Sequence, residues 1–244
     1  MRESDCGVVY ITSGAFHAAA AAQSALSVRK TNPWLAIDIF TDVEPEPGIF
    51  DQVHRFEAGH LRSKIDHLPK SRFGSTLYLD SDTRVVDDLK AMFAILDRFE
   101  IALAHGHLRH GTRQEMAWRE PVPAAFPQLN GGVILYRGSE RVKAFLESWR
   151  KAYHEAAFKW DQITLRELMW LSDLRLYVLP PEYNVRYRKY LEIWSENEAR
   201  AKILHFEEFY DATAALPNVA PRTDKSLKAK VKRAVKLLRK RLKL

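Results

Sequence analysis

Two carboxylates sit one residue apart at the end of the run Ser75-Thr-Leu-Tyr-Leu-Asp-Ser-Asp-Thr83. The apolar residues Leu77, Tyr78 and Leu79 predict a strand. Alternate side chains of a strand share a face, so Asp80 and Asp82 can converge on one point at its end. Paired hard oxygen ligands suit Mg²⁺ or Mn²⁺, and such a cation can hold a diphosphate. The chemistry expected of this stretch is metal-assisted binding of a nucleotide-linked substrate.

The elements that must position the pair read as strands alternating with helices. Val8–Thr12 predicts a first strand, and the alanine-rich 15–30 segment a helix that stops before Asn32-Pro33. Leu35–Phe40 predicts a second strand, closed by Thr41-Asp42. A helix is expected over Leu89–Phe99, strands over Ile101–Ala104 and Val133–Tyr136, and a proline-bearing irregular loop over His105–Asn130. Val142, Phe145, Leu146, Trp149 and Tyr153 follow helical spacing, and Asp161 is positioned to cap a further helix running to Leu171. Leu174–Leu179 and Ala201–Phe206 complete the strand candidates. No internal repeat is present. The fold class is α/β, a mostly parallel sheet flanked by helices. Such sheets bind ligands beyond the carboxyl ends of their strands, where Thr12, Asp42, Asp80 and Asp82 all fall.

At 244 residues, 46% hydrophobic and 28% charged, the chain is long enough for one large α/β domain. Its polar start does not read as a signal peptide, and no apolar run reaches the roughly 18 residues of a spanning helix. The single cysteine, Cys6, leaves no internal disulfide and fits a reducing, cytoplasmic compartment. Of the net charge of +7, the segment 223–244 holds ten Lys or Arg against one Asp, so residues 1–222 are close to neutral. Leu227, Val231, Ala234, Leu238 and Leu242 recur every three or four residues there. That pattern predicts an amphipathic helix lying on an anionic membrane, peripheral on its inner face. The expected division is a catalytic domain over 1–215 and a basic tail over 216–244.

Five elements in order resemble the GT-A nucleotide-sugar glycosyltransferases, in particular the retaining family 8 type that includes bacterial lipopolysaccharide galactosyltransferases and glycogenin. They are Tyr10-Ile-Thr-Ser13, Leu77-Tyr-Leu-Asp-Ser-Asp-Thr83, Asn130-Gly-Gly-Val-Ile-Leu135, Trp160-Asp-Gln162 and Ile203-Leu-His205. The resemblance spans roughly residues 7–210. It implies a GT-A fold, a UDP-sugar donor, a glycan or glycolipid acceptor, and Mn²⁺ or Mg²⁺ held by Asp80, Asp82 and His205, with Asp80 also touching the ribose. It assigns Thr12, Ser13 and Phe16 to the nucleotide base, with Asp42 as a further base or ribose contact. Lys64 becomes the donor-binding cation, with Arg62 as its rival. Asn130, Gly131 and Gly132 face the sugar, and Asp161 and Gln162 its reacting carbon. One departure stands out. The family often follows its metal histidine with Gly and a Lys-Pro-Trp whose lysine meets the diphosphate. Here the chain runs His205-Phe-Glu-Glu-Phe-Tyr-Asp211, which leaves the diphosphate charge to the metal alone, to Lys64, or to Arg186 or Arg188.

Other readings compete. Asp80-Ser-Asp82-Thr is similar to the nucleophile motif of haloacid-dehalogenase phosphatases, but Arg84 stands where that pattern wants Thr or Val. His105, His107 and His110 form a histidine-rich patch, but structural zinc wants four ligands and the lone cysteine is far away in sequence, so the patch reads as a solvated or acceptor-lining loop after the strand. The basic tail admits a non-enzymatic membrane or nucleic-acid adaptor, although it has no aromatic residue to stack on bases.

Overall fold

A computed structural model describes residues 3–57, 60 and 62–217. Nine strands lie among them: β1 (Cys6–Thr12), β2 (Ala36–Thr41), β3 (Gln52–Arg55), β4 (Ser75–Leu79), β5 (Thr83–Val85), β6 (Ile101–His105), β7 (Leu129–Arg137), β8 (Leu176–Val178) and β9 (Ile203–His205). The helices are α1 (Ala15–Thr31), α2 (Lys64–His67), α3 (Lys90–Phe93), α4 (Thr112–Glu115), α5 (Glu140–Ala156), α6 (Gln162–Leu171) and α7 (Lys189–Ile193). Seven strands form one sheet in the order β3-β2-β1-β4-β7-β6-β8, and β5 pairs with β9 in a small second ribbon. Only β7 runs against its neighbours in the main sheet. The mostly parallel α/β sheet expected from the sequence is the one observed.

Alternation along the strands divides the core in two. Leu77 and Leu79 of β4 join Val8, Tyr10, Val133 and Leu135 on the face covered by α1. Tyr78 joins Val9, Ile11, Ile134 and Tyr136 on the other face, against α5. Val142, Phe145, Leu146 and Trp149 are the buried stripe of α5, as their spacing predicts. Each such side chain contributes roughly 1.5–3 kcal/mol by leaving water.

Several expectations change. β4 ends at Leu79, so Asp80 to Asp82 form a turn between β4 and β5, and the turn, not strand alternation, brings the carboxylates together. The strand expected from Val133 starts at Leu129 as β7, so Asn130-Gly131-Gly132 lies within its opening residues. The 89–99 helix is only α3 followed by a 3₁₀ turn over Ala94–Asp97. The short strands β3 and β5 and the short helix α2 carried too few residues for a periodic signal. The basic segment 223–244 lies outside the described residues. Among the described residues no helix is long and apolar enough to cross a membrane.

The loop between β6 and β7 is organised by two charged side chains of α6. Arg166 is 1% exposed and donates to the carbonyls of Gln114, Met116, Val122, Pro123 and Phe126. Glu167 accepts from the backbone N–H groups of Trp118, Arg119 and Glu120. These bonds satisfy backbone groups that a loop of 23 residues cannot pair with itself.

Candidate active site

Reversal of β7 brings its first residues to the same edge as the last residues of β1 and β4. There Asp80, Asp82 and His205 place ligand atoms within 4.8 Å of one another. His205 Nε2 lies 3.1 Å from Asp82 Oδ1 and 3.7 Å from Asp80 Oδ2. Gly132 forms the floor: a Cβ there would lie 2.2 Å from His205 Cε1 and 2.6 Å from Asp80 Oδ2. Its carbonyl accepts from the Asp80 N–H at 2.8 Å. Only glycine lets the backbone approach the trio this closely.

The histidine is oriented from behind. Its Nδ1 is 2.8 Å from Asn184 Oδ1, and Asn184 Nδ2 donates to Asn130 Oδ1 at 2.9 Å. The amide's two ends are thereby assigned, so Nδ1 carries the proton and Nε2 presents a lone pair to the carboxylates. Asp82 Oδ1 has no hydrogen-bond partner although it is buried. Two lone-pair groups facing each other at 3.1 Å need a cation between them, and this donor set of two carboxylates and an imidazole fits a divalent ion.

Two cations flank the acids. Lys64, at the start of α2 and 7% exposed, donates to Asp80 Oδ1 at 3.2 Å and to the Gly131 carbonyl at 2.7 Å, and lies 3.5 Å from Asp161 Oδ2. Burial alone would lower its pKa, but Asp161 and Asp80 raise it above the usual value, so the ammonium stays charged. Arg186 Nη1 lies 3.4 Å from Asp82 Oδ2. Arg188 pairs instead with Glu208 and stacks on Phe206. Lys64 and Arg186, not Arg188, are therefore the two of these cations that lie against the acidic pair. Arg62 Nε reaches no nearer than 3.6 Å to Asp161 Oδ1, beyond hydrogen-bonding distance.

Asp161 holds the N-cap position of α6 without a side-chain capping bond, contrary to the expectation from sequence. Its carbonyl is the anchor, accepting from Trp149 Nε1 at 3.2 Å and from the Leu165 N–H. The carboxylate is thereby free to turn toward Lys64, and its Oδ2 is buried without a hydrogen bond. Gln162 follows on the first turn of α6, half-buried.

Beside the trio opens a cleft of about 310 Å³, walled in part by Thr12, Ser13, His17, Ser63, Lys64, Asp80 and Tyr210. Thr12 Oγ1 is buried with no partner, and Ser13 shares a hydrogen bond with Ser63. Asp42 accepts from the Gly14 N–H at 2.7 Å and so shapes the turn that carries Ser13. Gly14 is the N-cap of α1. Phe16 is 60% exposed and stands at the rim, its ring against His17 and Tyr210. Sequence reading missed His17, Ser63, Tyr78, Asn184 and Tyr210. Tyr78 was taken only for strand core, yet its hydroxyl donates to Asp80 Oδ1 at 2.5 Å. Among the described residues, His105, His107 and His110 do not bring three ligand atoms together.

The profile of the nucleotide-diphospho-sugar transferases matches residues 74–213, more than half of the chain and all three residues of the trio. The protein belongs to this family. It is a glycosyltransferase, and that supersedes the phosphatase and adaptor readings. Among solved structures, the galactosyltransferase LgtC in complex with donor and acceptor sugar analogs is similar at a TM-score of 0.59 and 12% identity, covering 87% of this chain and 98% of that one. The glycosyltransferase GlyE of Streptococcus pneumoniae TIGR4 is similar at a TM-score of 0.53 and 21% identity over 82% of this chain. This chain spans about half of GlyE, 54% of its length. These likenesses place the nucleotide-diphospho-sugar transferase domain in the GT-A fold. No curated protein matches the sequence.

Proposed function

We propose that this glycosyltransferase moves a hexose from a UDP-sugar to a hydroxyl of a glycan or glycolipid, with retention at the anomeric carbon and dependence on Mn²⁺ or Mg²⁺. The observation that carries the reading is the convergence of Asp80, Asp82 and His205 beside a cleft whose wall bears Asp80 and Lys64. A divalent ion held by this trio would neutralise charge on the leaving diphosphate. One imidazole among the ligands favours Mn²⁺ over Mg²⁺.

The chain's own residues supply the rest. Thr12 and Ser13 offer hydroxyls to the nucleoside, and Phe16, His17 and Tyr210 offer ring faces and edges for the base. Lys64 and Arg186 bring permanent positive charge to either side of the acidic pair, where diphosphate charge develops. Asp161 and Gln162 orient the sugar and stabilise its carbon as it becomes electron-poor, without covalent attack. The acceptor proton passes to the departing phosphate oxygen. In this reading the segment 223–244 holds the enzyme on an anionic, cytoplasmic membrane face.

A panel of nucleotide sugars, each titrated with and without Mn²⁺, tests the proposal by thermal shift and slow donor hydrolysis. A UDP-sugar should stabilise the protein only with the ion, and Asp82→Ala should abolish turnover in a protein that still folds. Wild-type transfer by Asp82→Ala in an ion-dependent assay would place the site elsewhere.

A further inference from the structure

A second cleft, of about 200 Å³, is walled by His105 at the end of β6, by His107 and Arg109 just after it, and by Asn184, Arg186 and Tyr190. No Asp or Glu lines it. It shares two residues with the surroundings of the trio: Asn184 orients His205, and Arg186 pairs with Asp82. Whatever fills this cleft therefore lies next to the reacting centre but outside the donor cleft.

Arg109 is exposed, bonds only weakly to the Gly106 carbonyl at 3.4 Å, and makes no ion pair among the described residues. A guanidinium held in an acid-free concavity is a fork without a partner. Its field is felt nearby. Burial first, and then Arg109, lowers the pKa of His105; burial first, and then Arg186, lowers that of His107. The rim is aromatic: Tyr187 lies parallel to His107 with ring centroids 6.4 Å apart, and Tyr190 stacks on Trp194 at 5.1 Å. Flat apolar faces beside a few convergent polar groups suit a sugar ring.

We infer that this cleft is the acceptor site and that the acceptor is an anionic saccharide, bearing a phosphate or carboxylate that Arg109 grips beside the reactive hydroxyl. The inference rests on the glycosyltransferase function proposed above and adds the acceptor's chemical class. In the transfer, the bond from the sugar's anomeric carbon to the diphosphate oxygen breaks and one to the acceptor oxygen forms. UDP leaves with the acceptor's proton.

The test uses the full chain loaded with UDP and Mn²⁺, which fills the donor cleft, and isothermal titration with methyl glucoside, glucose 6-phosphate, glucuronic acid and inorganic phosphate. At least one charged sugar should bind about 10-fold or more tightly than methyl glucoside, and more tightly than inorganic phosphate. Arg109→Gln should shrink that preference to within about 3-fold, and Arg109→Lys should recover only part of it, because charge without the fork is restored. Comparison of the two charged sugars tells a phosphate acceptor from a carboxylate one. Equal binding of charged and uncharged sugars, no detectable binding of either, or inorganic phosphate binding as tightly as the sugar phosphate would each overturn the proposal. UDP binding is measured first, so a failure there identifies the donor reading as the fault and removes the acceptor assignment with it.

Discussion

Asn184 fixes the tautomer of His205: its carbonyl oxygen takes the Nδ1 proton at 2.8 Å while its amide nitrogen is held by Asn130. Substitution of Asn184 by Ala frees the imidazole to rotate and to protonate at Nε2. Outer partners of this kind are worth about 10- to 100-fold in metal affinity. Asn184→Ala should therefore weaken Mn²⁺-dependent UDP binding by that factor. Calorimetric titration of Mn²⁺ into UDP-saturated protein checks it, and unchanged affinity would mean that His205 is no ligand.

Gly132→Ala is the smallest change that should disable the site. Its methyl would overlap His205 and Asp80 at distances no real contact allows. The cost of moving them is about 1–3 kcal/mol, so urea unfolding should shift by that amount while Mn²⁺-dependent donor hydrolysis falls below detection.

Asp161 and Gln162 should separate stability from rate. Asp161→Asn leaves the capping carbonyl in place but removes one of the two carboxylates beside buried Lys64, at about 1–3 kcal/mol of stability. Gln162→Ala should lower kcat at least about 10-fold with little change in donor affinity, as expected of a contact that strengthens in the transition state. Equal losses in kcat and in binding would make it a ground-state contact.

Asp66 supplies the pH-dependent term. Burial raises its pKa, but hydrogen bonds from His154 and His60 at 2.6 and 2.5 Å overcome this and lower it. A depressed carboxyl stabilises the fold above its unfolded value of 3.8 and loses that contribution as pH falls through the lower folded value. Asp66→Asn should cost about 1 kcal/mol at pH 7, and the gap to wild type should close below the ordinary carboxylate range. Urea titrations across that range read both.

Removal of residues 223–244 should abolish sedimentation with anionic vesicles and spare transfer to a small soluble acceptor. Ten cations at about 1 kcal/mol each near an anionic surface set the upper limit of the attraction. RNA binding in excess of vesicle binding at physiological salt would reassign the segment.

The sheet and its ligand edge were legible because β1, β2, β4 and the α5 stripe carry long, regular apolar patterns. Asp80, Asp82 and His205 were legible as a set through motif order. Asn184 and Tyr210 were not, since a lone Asn after two prolines or a Tyr in an acidic turn has no periodicity to mark it. Asp161 sits at the N-cap of α6 as expected but makes no side-chain capping bond; a capping position and a carboxylate aimed at a lysine look identical in one dimension. Nothing in the sequence marked the buried pair Arg166 and Glu167, as their partners are backbone groups of a distant loop.

That last pair has a mechanical consequence. The loop joining β6 to β7 is fastened at eight backbone positions to α6, the helix whose first turn holds Gln162 and whose entry holds Asp161. The loop and the first turn of α6 are thus tied together through the two side chains of one helix, so the loop's backbone is braced from the same element that carries Asp161 at its entry.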